Sequence, residues 1–276
     1  MNTQTPCTTD SDTERKLGSL CLSFADDFHG FVEGNLNITS EVGVVLPTYC
    51  EAANIEKLVT EIESLNLRLS ILVIDDSSSD GTIGIVRKLQ MKFPNILLMI
   101  RPQKLGLGTA ITDGFKLFLS LKRPPEYIIT MDADYSHNPK DIPRLIKPLK
   151  NGFDLVIGSR YCEDGGTLNW GLSRLAISKV ANFMASSLIG EKIHDYTSGL
   201  RCYSSKLVQN IITDLHSETY EIQIETIRQS HLRKRKIGEV PITFASRKKG
   251  KSKLSFNEIT QFLSYILFKA ILEYRR

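Results

Sequence analysis

No stretch of about eighteen unbroken apolar residues occurs in the chain, so nothing in it reads as a membrane-spanning helix. The first forty residues also lack a basic run followed by an apolar core, which excludes the secretory-signal pattern. Cysteine is sparse: Cys7, Cys21, Cys50, Cys162 and Cys202 form an odd, scattered set without a C-x-x-C pair. That argues against a disulfide framework or zinc cluster and for a reducing, cytosolic setting. Walker A, H-E-x-x-H and G-x-S-x-G strings are all missing, so P-loop, zincin and α/β-hydrolase chemistry lack their residues. The near miss at Gly106-Leu107-Gly108 has Ile111 where a dinucleotide fingerprint requires glycine, and the acidic residue expected about twenty positions on is absent.

What is present suits one globular domain, or one with an extension, since the chain is 41% hydrophobic and 24% charged, and its alternation of strand and helix patterns makes it α/β. The net charge of +4 is unevenly spread. Nine of the 35 Lys and Arg residues lie between His231 and Lys253 against Glu239 alone, leaving the remainder net acidic. Such a patch wants an anion: phosphate, nucleic acid or an acidic membrane surface. Residues 1–40 show little periodicity and read as a poorly ordered extension with one short helix near Leu17 to Phe28.

From Val42 onward, short apolar runs alternate with helical patterns. Val42–Leu46, Ile71–Ile74, Ile96–Ile100, Tyr127–Met131 and Leu155–Ile157 read as buried strands. Helices are expected after Asn54 as N-cap, over Thr82–Phe93 and Leu107–Leu121, and over Asp141–Lys150 with Asn138 as cap and Pro139 first. After Gly158 the alternation fades into longer helices. This is the signature of a mostly parallel sheet, whose ligands bind beyond the carboxyl ends of the strands.

The residues at those ends are polar. Pro47-Thr48-Tyr49-Cys50-Glu51 follows the first strand and Asp75-Asp76 the second. A strand-end carboxylate can hold ribose hydroxyls or a base, and Tyr49 can stack; Asp76 is read as functional and Asp80 as a helix cap. Asp132-Ala133-Asp134 follows the fourth strand. A lone D-x-D says little, but two carboxylates at a sheet's mouth repel unless a cation sits between them, and Mg²⁺ or Mn²⁺ sharing a substrate diphosphate meets that need. His137 and His194 read as structural. Farther on come Arg160, just past a strand, then Trp170, with Arg174 and Ser178 one helical turn apart, and finally the basic run around Gly250. Taken singly, Arg174 reads equally as a surface ion pair and the basic run as a solvated loop.

The strings PTYCEAANI, VIDDSSSDGT, QKLGLGTA, MDADYSHNP, GSRY, Trp170 to Ser178, DYTSGLR and RKKGKSK, in this order, resemble the dolichol-phosphate mannosyltransferase family over about Val42 to Phe268. The resemblance implies an inverting transferase of GT-A fold spanning residues 41–254, moving mannose from GDP-mannose to dolichyl or another polyprenyl phosphate. It implies that Pro47, Tyr49, Glu51, Ile74, Asp76 and Lys104 hold the donor nucleotide, and that Asp132, Ala133, Asp134 and Ser136 surround the metal and diphosphate. Arg160, Arg174 and Ser178 would meet the acceptor phosphate, and Arg247 and Lys253 would close on the donor. Asp134, Arg160 and Arg174 would be the catalytic set. Cys50 stands where the family usually has asparagine, and Ser136 replaces the glutamine of some members.

An anionic phosphate acceptor needs no strong base, which agrees with a site built of cations. Its hydrocarbon tail implies work at the cytosolic face of a membrane, attached peripherally. The apolar stripe Ile259, Phe262, Leu263, Ile266, Leu267 and Ala270 marks residues 255–276 as a core-packing helix or as one docking on the membrane or on small membrane subunits. Two rivals remain: a transferase of the same fold using UDP-glucose or a hydroxyl acceptor, and a nucleic-acid binder using Arg233 to Lys253. The second leaves the D-x-D unexplained, so no nucleic-acid partner is expected.

Overall fold

A computed structural model of the chain describes residues 29–246. The helices expected near Leu17 to Phe28 and in residues 255–276, together with Arg247 and Lys253, lie outside the described residues. Among the described residues ten strands form, those from β2 to β6 out of short apolar or β-branched runs: β1 (Phe31–Glu33), β2 (Val42–Thr48), β3 (Leu69–Asp75), β4 (Ile96–Ile100), β5 (Tyr127–Thr130), β6 (Leu155–Ser159), β7 (Gly166–Leu168), β8 (Arg201–Ser204), β9 (Ile237–Pro241) and β10 (Thr243–Ala245). The helices are α1 (Ile55–Glu63), α2 (Thr82–Lys92), α3 (Leu107–Ser120), α4 (Ile142–Lys150), α5 (Leu172–Ile189), α6 (Ser205–Ile211) and α7 (Ile222–Leu232).

Eight strands make one sheet in the order β1-β4-β3-β2-β5-β8-β6-β9, and β7 pairs with β10 separately. β1 and β8 run antiparallel to their neighbours and the other pairings are parallel. Alternate side chains go to opposite faces, as the two-residue period of a strand requires. Val44, Leu46, Ile71, Val73 and Ile129 join α1, α2 and α4 in one core. Val45, Leu72, Ile74, Ile128 and Ile157 join α3, α6 and α7 in the other.

Sequence expectations need correction at four places. β1 falls inside the expected N-terminal extension, yet it forms the sheet edge, with Val32 buried and Glu33 taking a bidentate ion pair from Arg87 of α2. Asn54 stands at the N-cap position of α1 as expected, but its side chain makes no capping hydrogen bond, and its amide N–H donates instead to Glu51 at 2.8 Å. Asn138 caps a 3₁₀ turn over Pro139–Asp141, and α4 starts only at Ile142. The region after Gly158 holds short strands besides its helices, each too brief to show alternation.

The glycines of the failed dinucleotide string have a packing explanation. A Cβ on Gly108 would lie 2.1 Å from the Ser217 carbonyl oxygen, so the start of α3 is pressed against backbone.

Candidate active site

Chain order locates the crevice. From β2 the chain steps to β3 and β4 on one side and then returns to place β5 on the other, so a topological switch point lies between β2 and β5. There the ladder opens. The Met131 N–H donates to the Val45 carbonyl at 3.2 Å, and Pro47, two residues on and presenting to the same side, has no N–H to continue. β2 meanwhile stays paired with β3 as far as Thr48. Asp132, Ala133 and Asp134 follow directly at this mouth.

On the β3 side, Asp75 is fully buried and holds the turn, accepting from Thr48 Oγ1 (2.8 Å), Ser78 N–H (2.7 Å) and Ser78 Oγ (2.7 Å). Asp80 is structural, although Gly81 and not Asp80 holds the N-cap of α2: Asp80 accepts from Thr82 Oγ1, Ala52 N–H and Thr82 N–H; burial acts to raise its pKa, but these hydrogen bonds outweigh it and leave the carboxyl below its ordinary value. Asp76 points elsewhere. Its Oδ1 accepts from Arg101 Nε at 2.6 Å, and Oδ2 from the Leu105 N–H at 3.3 Å. Arg101 is wholly buried and also donates to Thr109 Oγ1 and the Gly106 carbonyl, with Asp113 at 3.5 Å. Tyr49 is exposed, with Lys104 Nζ 5.6 Å from its ring centre. Glu51 is buried against Asn54, and the Ile74 side chain belongs to the core, so only its backbone meets the crevice: its carbonyl accepts from Thr48 Oγ1.

The D-x-D loop is tightly determined. Ala133 is buried, and Asp134 Oδ1 accepts from both the backbone N–H and the hydroxyl of Ser136. Tyr135 between them takes φ +64 and turns toward α1, where Lys57 lies over its ring; burial and a hydrogen bond to Glu61 push its phenol to about 12. The Asp132 side chain is about one-third exposed and lies 3.3 Å from His137 Nε2. Among the described residues no group of three or more His, Cys, Asp or Glu is gathered for a metal. Two oxygen donors at a strand end nevertheless fit a hard cation whose remaining ligands come from phosphate and water.

Opposite in charge is a cation and aromatic cluster. Arg160 forms a bidentate pair with Asp195, both bonds 2.7 Å, and donates to Thr197 Oγ1 at 2.6 Å. Burial works against the charge of both partners, but their mutual attraction outweighs it, holding the arginine above and the aspartate below their ordinary pKa values. Arg160 lies 5.3 Å from the ring centre of Trp170, and Arg174 lies 4.2 Å from the same ring. Arg174 is exposed on α5, and Ser178, one turn on, accepts from the Tyr161 hydroxyl at 2.7 Å. Phe244 of β10 completes the cluster, edge-on to both Trp170 and His137.

Sequence reasoning missed Arg101 and Phe244 as site residues, and met Asp195 only as the first residue of the DYTSGLR string. Arg101 stands directly after β4, where the strand-end rule applied to that strand would have found it. Phe244 acts across a long sequence separation and leaves no local signal, whereas Asp195 was legible in its string but not as the partner of Arg160, 35 residues away.

The model of the family described as "Glycosyl transferase family 2" matches residues 43–212. A polyprenol monophosphomannose synthase from Mycolicibacterium smegmatis is 36% identical over 81% of this chain and 84% of its own length. A dolichol-phosphate mannosyltransferase from Pyrococcus furiosus is 34% identical over 82% of this chain and 62% of its own. Among solved structures, glucosyl-3-phosphoglycerate synthase from Mycobacterium tuberculosis, crystallised with Mn²⁺, UDP-glucose and phosphoglyceric acid, superposes with a TM-score of 0.63 at 19% identity, over 85% of this chain and 81% of that one. The likeness establishes the expected GT-A fold. With its switch-point carboxylates and this kinship, the chain belongs to glycosyl transferase family 2.

Proposed function

We propose that the protein transfers mannose from GDP-mannose to a polyprenyl phosphate with inversion, giving a β-linked polyprenyl mannosyl phosphate. The observation that carries this reading is the gathering of Arg160 and Arg174 on one indole beside a switch-point D-x-D. A hydroxyl acceptor calls for a base; a phosphate, whose second ionisation lies near pH 6, arrives as a nucleophile and calls for cations. The two relatives at 34–36% identity are both named for mannosyl transfer to polyprenol or dolichol phosphates.

The residue roles proposed with this reading rest on position at the crevice and, for Arg247 and Lys253, on the family resemblance alone. Tyr49 and Lys104 offer a stacking platform for the base, Asp76 is held ready by Arg101, and Pro47, Glu51 and the Ile74 backbone shape the wall. Asp132 and Asp134, with Ser136 steadying the latter, would hold Mg²⁺ or Mn²⁺, which supplies charge neutralisation to the donor diphosphate; Mn²⁺ accompanies the sugar nucleotide in the M. tuberculosis structure. Arg174 and Ser178 receive the acceptor phosphate, Arg160 contributes its fixed positive field from behind, and Arg247 and Lys253 are assigned to the donor. In-line attack on the sugar carbon breaks its bond to the diphosphate and releases GDP.

The acceptor's tail finds a surface on the same helix. α5 exposes Leu172, Ile177, Val180, Phe183 and Leu188, and no helix among the described residues is long and apolar enough to cross a membrane. A lipid surface laid along α5 brings the polyprenyl phosphate to Arg174. The test incubates the protein with radiolabelled GDP-mannose or UDP-glucose, a short polyprenyl phosphate in detergent and Mg²⁺ or Mn²⁺, and measures label extracted into organic solvent. Transfer from GDP-mannose that chelator abolishes is expected. Transfer from UDP-glucose alone would overturn the donor, and none from either would overturn the activity.

A further inference from the structure

His137 lies five residues beyond Asp132, and any role it has toward that carboxylate rests on the donor-site reading proposed above. Its side chain is fully buried. The ring meets Phe244 edge-on at 4.9 Å between centres, Nε2 is 3.3 Å from Asp132 Oδ2, and Nδ1 has no hydrogen-bond partner among the described residues. An ionised carboxylate only accepts, so the ring proton is assigned to Nε2 and Nδ1 is left as a sealed lone pair. A buried acceptor without a donor destabilises the fold. Phenylalanine would fill the same flat space beside Phe244 without that cost. Packing therefore does not account for an imidazole here, whereas the bond to Asp132 does.

We propose that His137 is a positioning residue, whose Nε2–H fixes the Asp132 carboxylate in the orientation that a divalent cation and the donor diphosphate require. The surroundings confine both partners. The Ala245 N–H donates to the Ser136 carbonyl at 3.0 Å, tying the loop to β10, and Gly199 backs the carboxylate so closely that a Cβ there would lie 3.0 Å from Asp132 Oδ1. Ligand-orienting partners of this kind are worth about 10–100-fold in metal affinity.

The test compares full-length wild type, His137→Phe and His137→Gln by titrating Mn²⁺ in the presence of GDP, with free Mn²⁺ read by electron paramagnetic resonance. The Gln amide can place an N–H where Nε2 stands; Phe cannot. His137→Phe is expected to bind Mn²⁺ about 10–100-fold more weakly, with a melting temperature equal to or above wild type. His137→Gln is expected to recover most of the affinity, and metal-free GDP binding to stay unchanged in both. Wild-type Mn²⁺ affinity in His137→Phe would overturn the proposal. So would a lowered melting temperature together with lost metal-free GDP binding, the result a packing role gives. If wild type itself shows no Mn²⁺ affinity with GDP, the donor-site reading falls and takes this proposal with it.

Discussion

Two residues show how local physics constrains the site. Cys50 adopts φ +56, a left-handed conformation that costs a side chain with a Cβ about 1–2 kcal/mol and that asparagine tolerates better. The asparagine usual at this position in the resembling family therefore has a backbone reason, and Cys50→Asn is expected to stabilise the protein by about 0.5–1 kcal/mol in urea unfolding. A loss of stability would mean that the thiol's contacts outweigh the backbone. Asp195 matters more to stability than Cys50. Its native pKa is depressed below the ordinary carboxylate value, burial being outweighed by Arg160. A depressed native pKa contributes stability at pH above the unfolded value, and that contribution fades as pH falls through the native one. Asp195→Asn is expected to lose about 3–5 kcal/mol at neutral pH by stranding buried Arg160, and to show a shallower stability loss on acidification below about pH 4. Parallel pH profiles in variant and wild type would remove Asp195 from the acid transition.

Among the elements, α1 through α4 and β2 through β6 were legible because each is amphipathic or wholly apolar over enough residues to reveal its period. α5 was legible as a helix but not in its orientation. Its buried positions include Asn182 and Ala185, while Leu172, Ile177, Val180 and Phe183 face outward, the reverse of what an apolar stripe ordinarily means. Periodicity identifies a face without saying what covers it. Asn182 is inside because it works there: its amide donates to the Ser178 carbonyl and to Thr197 Oγ1, and its Oδ1 accepts from the Tyr196 N–H at 2.6 Å. In the proposed reading this outward face is the one that meets lipid. Burying one Phe side chain is worth about 1.5–3 kcal/mol, so Phe183→Ser should lower partition onto phospholipid vesicles by roughly tenfold or more. Sedimentation with vesicles reads this directly, with GDP binding as the control; undiminished partition would place the membrane surface elsewhere.

At the scale of the molecule, catalysis of phosphate attack on a diphosphate sugar requires opposite charges to be fixed close together before substrate arrives. In the proposed reading the fold does this by letting one half of the chain supply the carboxylates at the β2/β5 switch point and the other half supply Arg160, Trp170 and Arg174. Each group was legible as a strand end or a helical pair. The approach of Arg160 and Phe244 to the indole on which Arg174 lies was not, because their contacts with Trp170 have no local pattern. The two arginines also divide the work: Arg160 is buried and held by Asp195, whereas Arg174 is exposed and laid over Trp170. Only the exposed guanidinium can close on an incoming phosphate. A charge-assisted hydrogen bond of this kind is worth about 1.5–3 kcal/mol, so Arg174→Ala should reduce kcat/KM for the polyprenyl phosphate by about 10–100-fold while leaving GDP affinity within about twofold. Arg174→Lys keeps the charge but loses the planar fork and its stacking, and should recover only part of that loss. Equal losses in acceptor use and GDP binding would instead make Arg174 a support for the whole crevice, and unchanged acceptor kinetics would make its stacking on Trp170 a matter of surface packing alone.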